Sequence, residues 1–144
     1  MLFDIYQTLK LYSYFIDNEF LLKYCQLIER NRRTSIRYNT NKHHIVPKSW
    51  YKLNSCKINN ESSNLVNLVY RDHVLAHYYL CLCTEDPLKY ANELALICLE
   101  SRKNLSSVDK QLLHNLPLYN IIYEDYCFKN KMNYKLYEEA KNDN

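Results

Sequence analysis

The chain has 144 residues, 47% of them hydrophobic and 24% charged, and a formal net charge of +3. That length and balance describe one globular domain able to bury a core without disulfides or a structural metal, and they exclude a disordered tail and a multidomain enzyme. No apolar run approaches the roughly eighteen residues of a membrane span, and Asp4 and Lys10 interrupt what would have to be the apolar core of an export signal.

The spacing of Ile5, Leu9, Tyr12 and Ile16 predicts a helix over 4–16. Asp17 or Asn18 then caps a second helix over about 19–33, with Leu21, Tyr24, Cys25 and Ile28 inward. A polar, basic connector runs from Thr34 to Lys42, and His44-Ile45-Val46-Pro47 reads as a short strand ended by proline. Residues 48–63 read as a loop, and Leu65 to Tyr70 as a second, antiparallel strand. Val74, Leu75, Tyr78 and Leu82 place a helix over 72–83 on that strand pair, with Asp72 suited to the positive end of its dipole. A helix with Tyr90, Leu94, Ile97 and Cys98 inward follows Pro87, then a short one over 108–116, and a last one over 118–141. The expected fold class is α+β, mainly helical around two antiparallel strands and one helix.

The chain contains no glycine, 17 asparagines and 15 tyrosines. Left-handed turn positions therefore fall mostly to asparagine, and Asn39, Asn41, Asn54, Asn59, Asn60 and Asn104 stand where such turns are expected. This vocabulary suggests an AT-rich genome, and with it the cytoplasm of a bacterium or of a phage-infected host cell.

Charge is segregated. From Arg30 to Lys57 there are eight basic residues and no acidic one, whereas the remainder carries 11 basic and 16 acidic residues. A basic segment on a mildly acidic body is the footprint of a polyanion partner. The six cysteines include no C-x-x-C pair, and Cys25, Cys81, Cys98 and Cys127 read as small buried hydrophobes in a reducing compartment.

Four of the five histidines fall in two pairs. His73 and His77, four apart on the predicted helix, share a face and can reach one metal ion. His43 and His44 are adjacent on a strand and point to opposite sides, so one can complete the metal site while the other faces a substrate. Taken alone, His73 and His77 read as ordinary helix histidines; His43-His44 on a neighbouring element tips the balance to a site. His114 reads as a surface residue.

The pattern HHIVPKS (43–49) followed by SNLVNLVYRDHVLAH (63–77) resembles the HNH endonucleases of the ββα-metal class, in particular their small phage-type and homing-type members. The resemblance covers about residues 20–83. It implies that His43, His73 and His77 hold a divalent metal ion (Mg²⁺, Mn²⁺, Zn²⁺ or Ni²⁺). It implies that His44 is the general base that activates water, and that Asn64 holds the loop and orients His44, with Asn67 competing for that role. The implied activity is hydrolysis of DNA phosphodiester bonds to 5′-phosphate and 3′-hydroxyl ends. Many phage-type relatives carry Glu where this chain has Asn41. Lys42, Lys48, Arg71, Arg33 and Arg37 are the candidates for phosphate contacts.

On this reading residues 1–144 form a single domain. It comprises N-terminal helices and a basic connector (1–40), the HNH core (41–83) and C-terminal helices of no assigned role (84–144). DNA, a partner protein and a second copy of the chain (a homodimer) are all compatible with the tyrosine-rich C-terminal half. A non-catalytic, structural-zinc module that binds nucleic acid, and an RNase or toxin nuclease with the same site, are the competing functions.

Overall fold

A computed structural model describes residues 2–34 and 39–142, with side chains over 4–34 and 39–132. The architecture is α+β: seven α-helices and one two-stranded antiparallel sheet among the described residues.

Helix α1 (Leu2–Leu9) ends earlier than the periodicity suggests. Ile5 and Leu9 are buried, but after Leu9 the chain turns, with Tyr14 in the left-handed region at φ 69°. The following residues pair with the segment after α4 instead of continuing the helix: Ile16 N–H donates to Cys83 C=O at 2.8 Å and Glu85 N–H to Tyr14 C=O at 2.8 Å. Helix α2 (Glu19–Arg32) begins where expected. Asn18 caps it, its Oδ1 accepting from the backbone of Phe20 and Leu21, while its Nδ2 donates to Leu82 C=O. One side chain thus satisfies the orphan donors of α2 and ties its start to a distant helix end.

Strand β1 (Thr40–His44) pairs with β2 (Leu65–Val69) in a register that sets His43 opposite Val66 and His44 opposite Leu65. The strand ends where the sequence pattern starts it. Ile45 and Val46 are buried, yet side chains and one loop carbonyl hold them. Val46 N–H donates to Asn64 Oδ1 and Ile45 N–H to Asn64 C=O, both at 2.9 Å, and Ile45 C=O accepts from the Tyr24 hydroxyl.

Part of the expected loop is helix α3 (Lys48–Leu53). It is anchored by the Trp50 ring, which lies 4.7 Å from Tyr12 and donates through Nε1 to Ser13 C=O. Two aromatic anchors in a polar hexapeptide leave no apolar period to read. Of the six asparagines expected in left-handed turns, Asn39 and Asn104 adopt one; after α3 the left-handed residue is Ser55 rather than Asn54.

Helix α4 (Tyr70–Leu82) separates two apolar clusters. Leu21, Tyr24, Ile28, Leu68, Ala76 and Leu80 belong to one, and Val74, Tyr78, Leu96, Leu99 and Ile122 to the other. Helix α5 (Leu88–Glu100) presents Leu88, Asn92, Glu93, Leu96 and Leu99 inward. That corrects the expected face, since Leu94 and Cys98 are exposed. Cys127 is exposed too, and Cys83 is buried in its place with Cys25 and Cys81. Helix α6 (Ser107–Leu112) and helix α7 (Tyr119–Asn142) complete the chain. No helix among the described residues is long and apolar enough to cross a membrane.

Candidate functional site

At the end of β1, His43 is buried and the adjacent His44 half-buried. His43, 3% exposed, points toward α4. One turn apart on α4, His73 and His77 meet it. The ring centroids are 5.4 Å apart for His43–His73, 5.1 Å for His43–His77 and 5.0 Å for His73–His77. One nitrogen from each ring lies within 4.8 Å of one from each of the others.

Burial drives all three rings toward the neutral form. His43 is held well below the usual imidazole range by desolvation, with the neighbouring histidines adding to it. Burial lowers His73 to about 4, helped by Arg102, and His77 to about 3, helped by His73. The Nδ1 atoms of His73 and His77 are buried with no hydrogen-bond partner. A buried polar atom without a partner is costly in an ordinary core. Three neutral imidazoles with converging nitrogens are the donor set of a divalent transition metal, so the residues present fit such an ion.

A cavity of about 350 Å³ opens beside this cluster between β1, α3, α4 and α5. His43, His44, His73 and His77 line it, with Lys42, Lys48 and Lys52, and Ala91 and Ala95 of α5 form the far wall. His44 Nε2 is 2.8 Å from Asn60 Oδ1. A carbonyl oxygen only accepts, so His44 donates through Nε2, and in the neutral ring that leaves the lone pair on Nδ1.

Asn64 is 5% exposed and works behind the site. Its Oδ1 accepts from Val46 N–H, and its Nδ2 donates to Val46 C=O at 3.3 Å and Asn59 C=O at 3.0 Å. It clamps the two ends of the 46–64 loop, and the ring of His44 takes its partner from Asn60 instead. Asn67 is exposed on β2, opposite Lys42.

The site therefore gathers His43, His44, His73, His77, Lys42 and Lys48. Arg71 is exposed and outside the cavity lining, and Arg33 pairs with Glu29 at 3.1 Å at the end of α2, also outside it. Arg37 lies outside the described residues. Sequence reasoning missed Lys52, Asn60, Tyr24 and Arg102. Lys52 was legible as one of the basic segment's charges; the other three act across the fold. Arg102, just after α5, donates to Asn41 Oδ1 at 2.8 Å and adds positive charge near His73 and His77. His114 is exposed, as expected of a surface residue, and meets Glu100 at 3.4 Å, away from this cavity.

Comparison with protein-family models, with curated proteins and with solved structures finds no match to this chain.

Proposed function

We propose that the protein is a metal-dependent endonuclease of the HNH, ββα-metal type, hydrolysing DNA phosphodiester bonds. The observation that carries the reading is the closeness of three imidazoles, His43 buried and His73 and His77 partly so, to a fourth histidine and three lysines around one open cavity. His43, His73 and His77 would hold a divalent ion, which would supply Lewis-acid stabilisation of the phosphate and of the departing 3′ oxygen. Imidazole donors suit Zn²⁺, Ni²⁺ or Mn²⁺, and Mg²⁺ serves if water and phosphate fill its remaining positions.

The chain's own residues do the rest. His44 takes the proton of the attacking water on its free Nδ1, a contribution of roughly 10²–10⁴-fold for a positioned base. Asn60 fixes the ring through Nε2, and Asn64 holds the 46–64 segment that carries both Asn60 and Lys48. Lys42, Lys48 and Lys52 line the approach and neutralise flanking phosphates. The proposed chemistry acts at the phosphate, which DNA and RNA share, so RNA is the control substrate.

Incubation of supercoiled plasmid with each metal or with EDTA tests the proposal. The expected outcome is metal-dependent nicking or cutting by the wild type and loss of at least 10²-fold in His44→Ala, with metal binding retained. No cleavage with any metal, in protein that purifies with zinc, would replace the enzyme by a structural-zinc module that binds nucleic acid.

A further inference from the structure

Tyr24 of α2 is wholly buried, and its hydroxyl makes two contacts of 2.7 Å, one to His43 Nε2 and one to the carbonyl of Ile45. A phenol has one proton to give. A carbonyl cannot donate, so the contact to Ile45 uses that proton. The contact to His43 then requires an N–H on Nε2, with the phenol oxygen accepting. Hydrogen bonds run in one direction along the chain His43 Nε2, Tyr24 Oη, Ile45 O, and every member is satisfied.

Resting on the metal-site reading above, we infer that Tyr24 is a positioning residue for the metal centre: it fixes His43 in the Nε2–H tautomer, so that Nδ1 is the donor atom offered to the ion. The centre then extends beyond the strands and α4 to a helix 19 residues upstream in sequence. His43 thus has the nitrogen facing away from the ion satisfied by protein. An outer partner of this sort sets ring orientation and donor strength, and losing one costs 10–100-fold in metal affinity.

Zn²⁺ titration against a chromophoric chelator, on the full chain, tests this with Tyr24→Phe, which keeps the ring and removes the hydroxyl. The expected result is affinity at least tenfold weaker than wild type. Ile28→Val, a core change one turn further along α2, controls for lost stability and should bind Zn²⁺ like wild type. In the wild type, ¹⁵N spectra of the histidine rings should show the Nδ1 resonance of His43 shifting on Zn²⁺ saturation while its Nε2 stays protonated. Binding by Tyr24→Phe within twofold of wild type, an equal loss in Ile28→Val, or a Zn²⁺-dependent shift at His43 Nε2 would each overturn the inference and leave the metal site standing. A wild type that takes up no Zn²⁺ would overturn both.

Discussion

His43, His73 and His77 are each held neutral by burial, and the cost of that neutrality appears as acid sensitivity. An unfolded histidine takes up a proton near pH 6.5, whereas the folded chain resists protonation down to about 4 at His73 and about 3 at His77. Below 6.5 the unfolded state binds more protons, so stability is intact above that pH and falls as pH drops toward the folded values. Glu93, pushed up to about 7 mainly by burial, works in the opposite sense and loses stability as pH rises. The clean comparison is metal-free wild type against His77→Gln. The wild-type urea midpoint should fall between pH 7 and 5, and the variant should show a shallower fall; equal slopes would mean that His77 is not a buried neutral ring. At this scale the sequence was most informative where spacing is local. The i, i+4 pair sits on α4 as helix periodicity puts it, whereas the adjacent pair closes β1 instead of opening it. Asn60 and Arg102 were invisible because their contacts to His44 and Asn41 span 16 and 61 residues, distances that only the tertiary fold closes.

Helix α5 shows why an element can be legible while its orientation is not. Its bounds agree with the periodicity, but two of its buried residues, Asn92 and Glu93, are polar, so the apolar positions alone point to the wrong face. The reason Glu93 can be buried lies on α7. Lys129 Nζ reaches Glu93 at 3.3 Å and Asp86 at 2.9 Å, and also pairs with Asp125. Helix α7 docks through this polar cluster as well as through Tyr119 and Ile122, while Ile121 and Phe128 stay exposed. Lys129→Met leaves Glu93 buried without its cation and should destabilise the fold by about 3 kcal/mol in urea unfolding, the scale for breaking a buried pair. The double variant Glu93→Gln/Lys129→Met should recover part of that loss; a single variant as stable as wild type would show that the cluster does not hold α7. The strand displaced to Thr40–His44 follows the same logic, since backbone partners from Tyr24 and Asn64 decided where pairing stops.

Across the whole molecule, the basic segment was legible from composition, and three of its lysines converge on one cavity. On the proposed reading these set how affinity for duplex DNA responds to salt. Three phosphate contacts correspond to a log–log slope of about −3, and Lys52→Ala should flatten it by about one. Anisotropy titrations with the His44→Ala chain, which leaves the DNA intact, provide the measurement. Binding that ignores salt would remove the lysines from the interface. The role of 84–144, unassigned from sequence, is now partly physical: α5 walls the cavity, and Arg102 lends charge to its rim through β1.

The backbone turns left-handed at Tyr14, Asn39, Ser55 and Asn104, with φ between 55° and 69°, in a chain that has no glycine anywhere. A Cβ in that region costs roughly 1–2 kcal/mol per residue, least for asparagine. The denatured ensemble gains nothing from such residues either, because each non-glycine position samples fewer backbone states than glycine would. Every residue spared from being glycine lowers the entropy lost on folding by about 0.4–1 kcal/mol where its native conformation is unstrained. Among the described residues, backbone strain is therefore concentrated in four turns, and a glycine-free sequence narrows the disordered ensemble elsewhere.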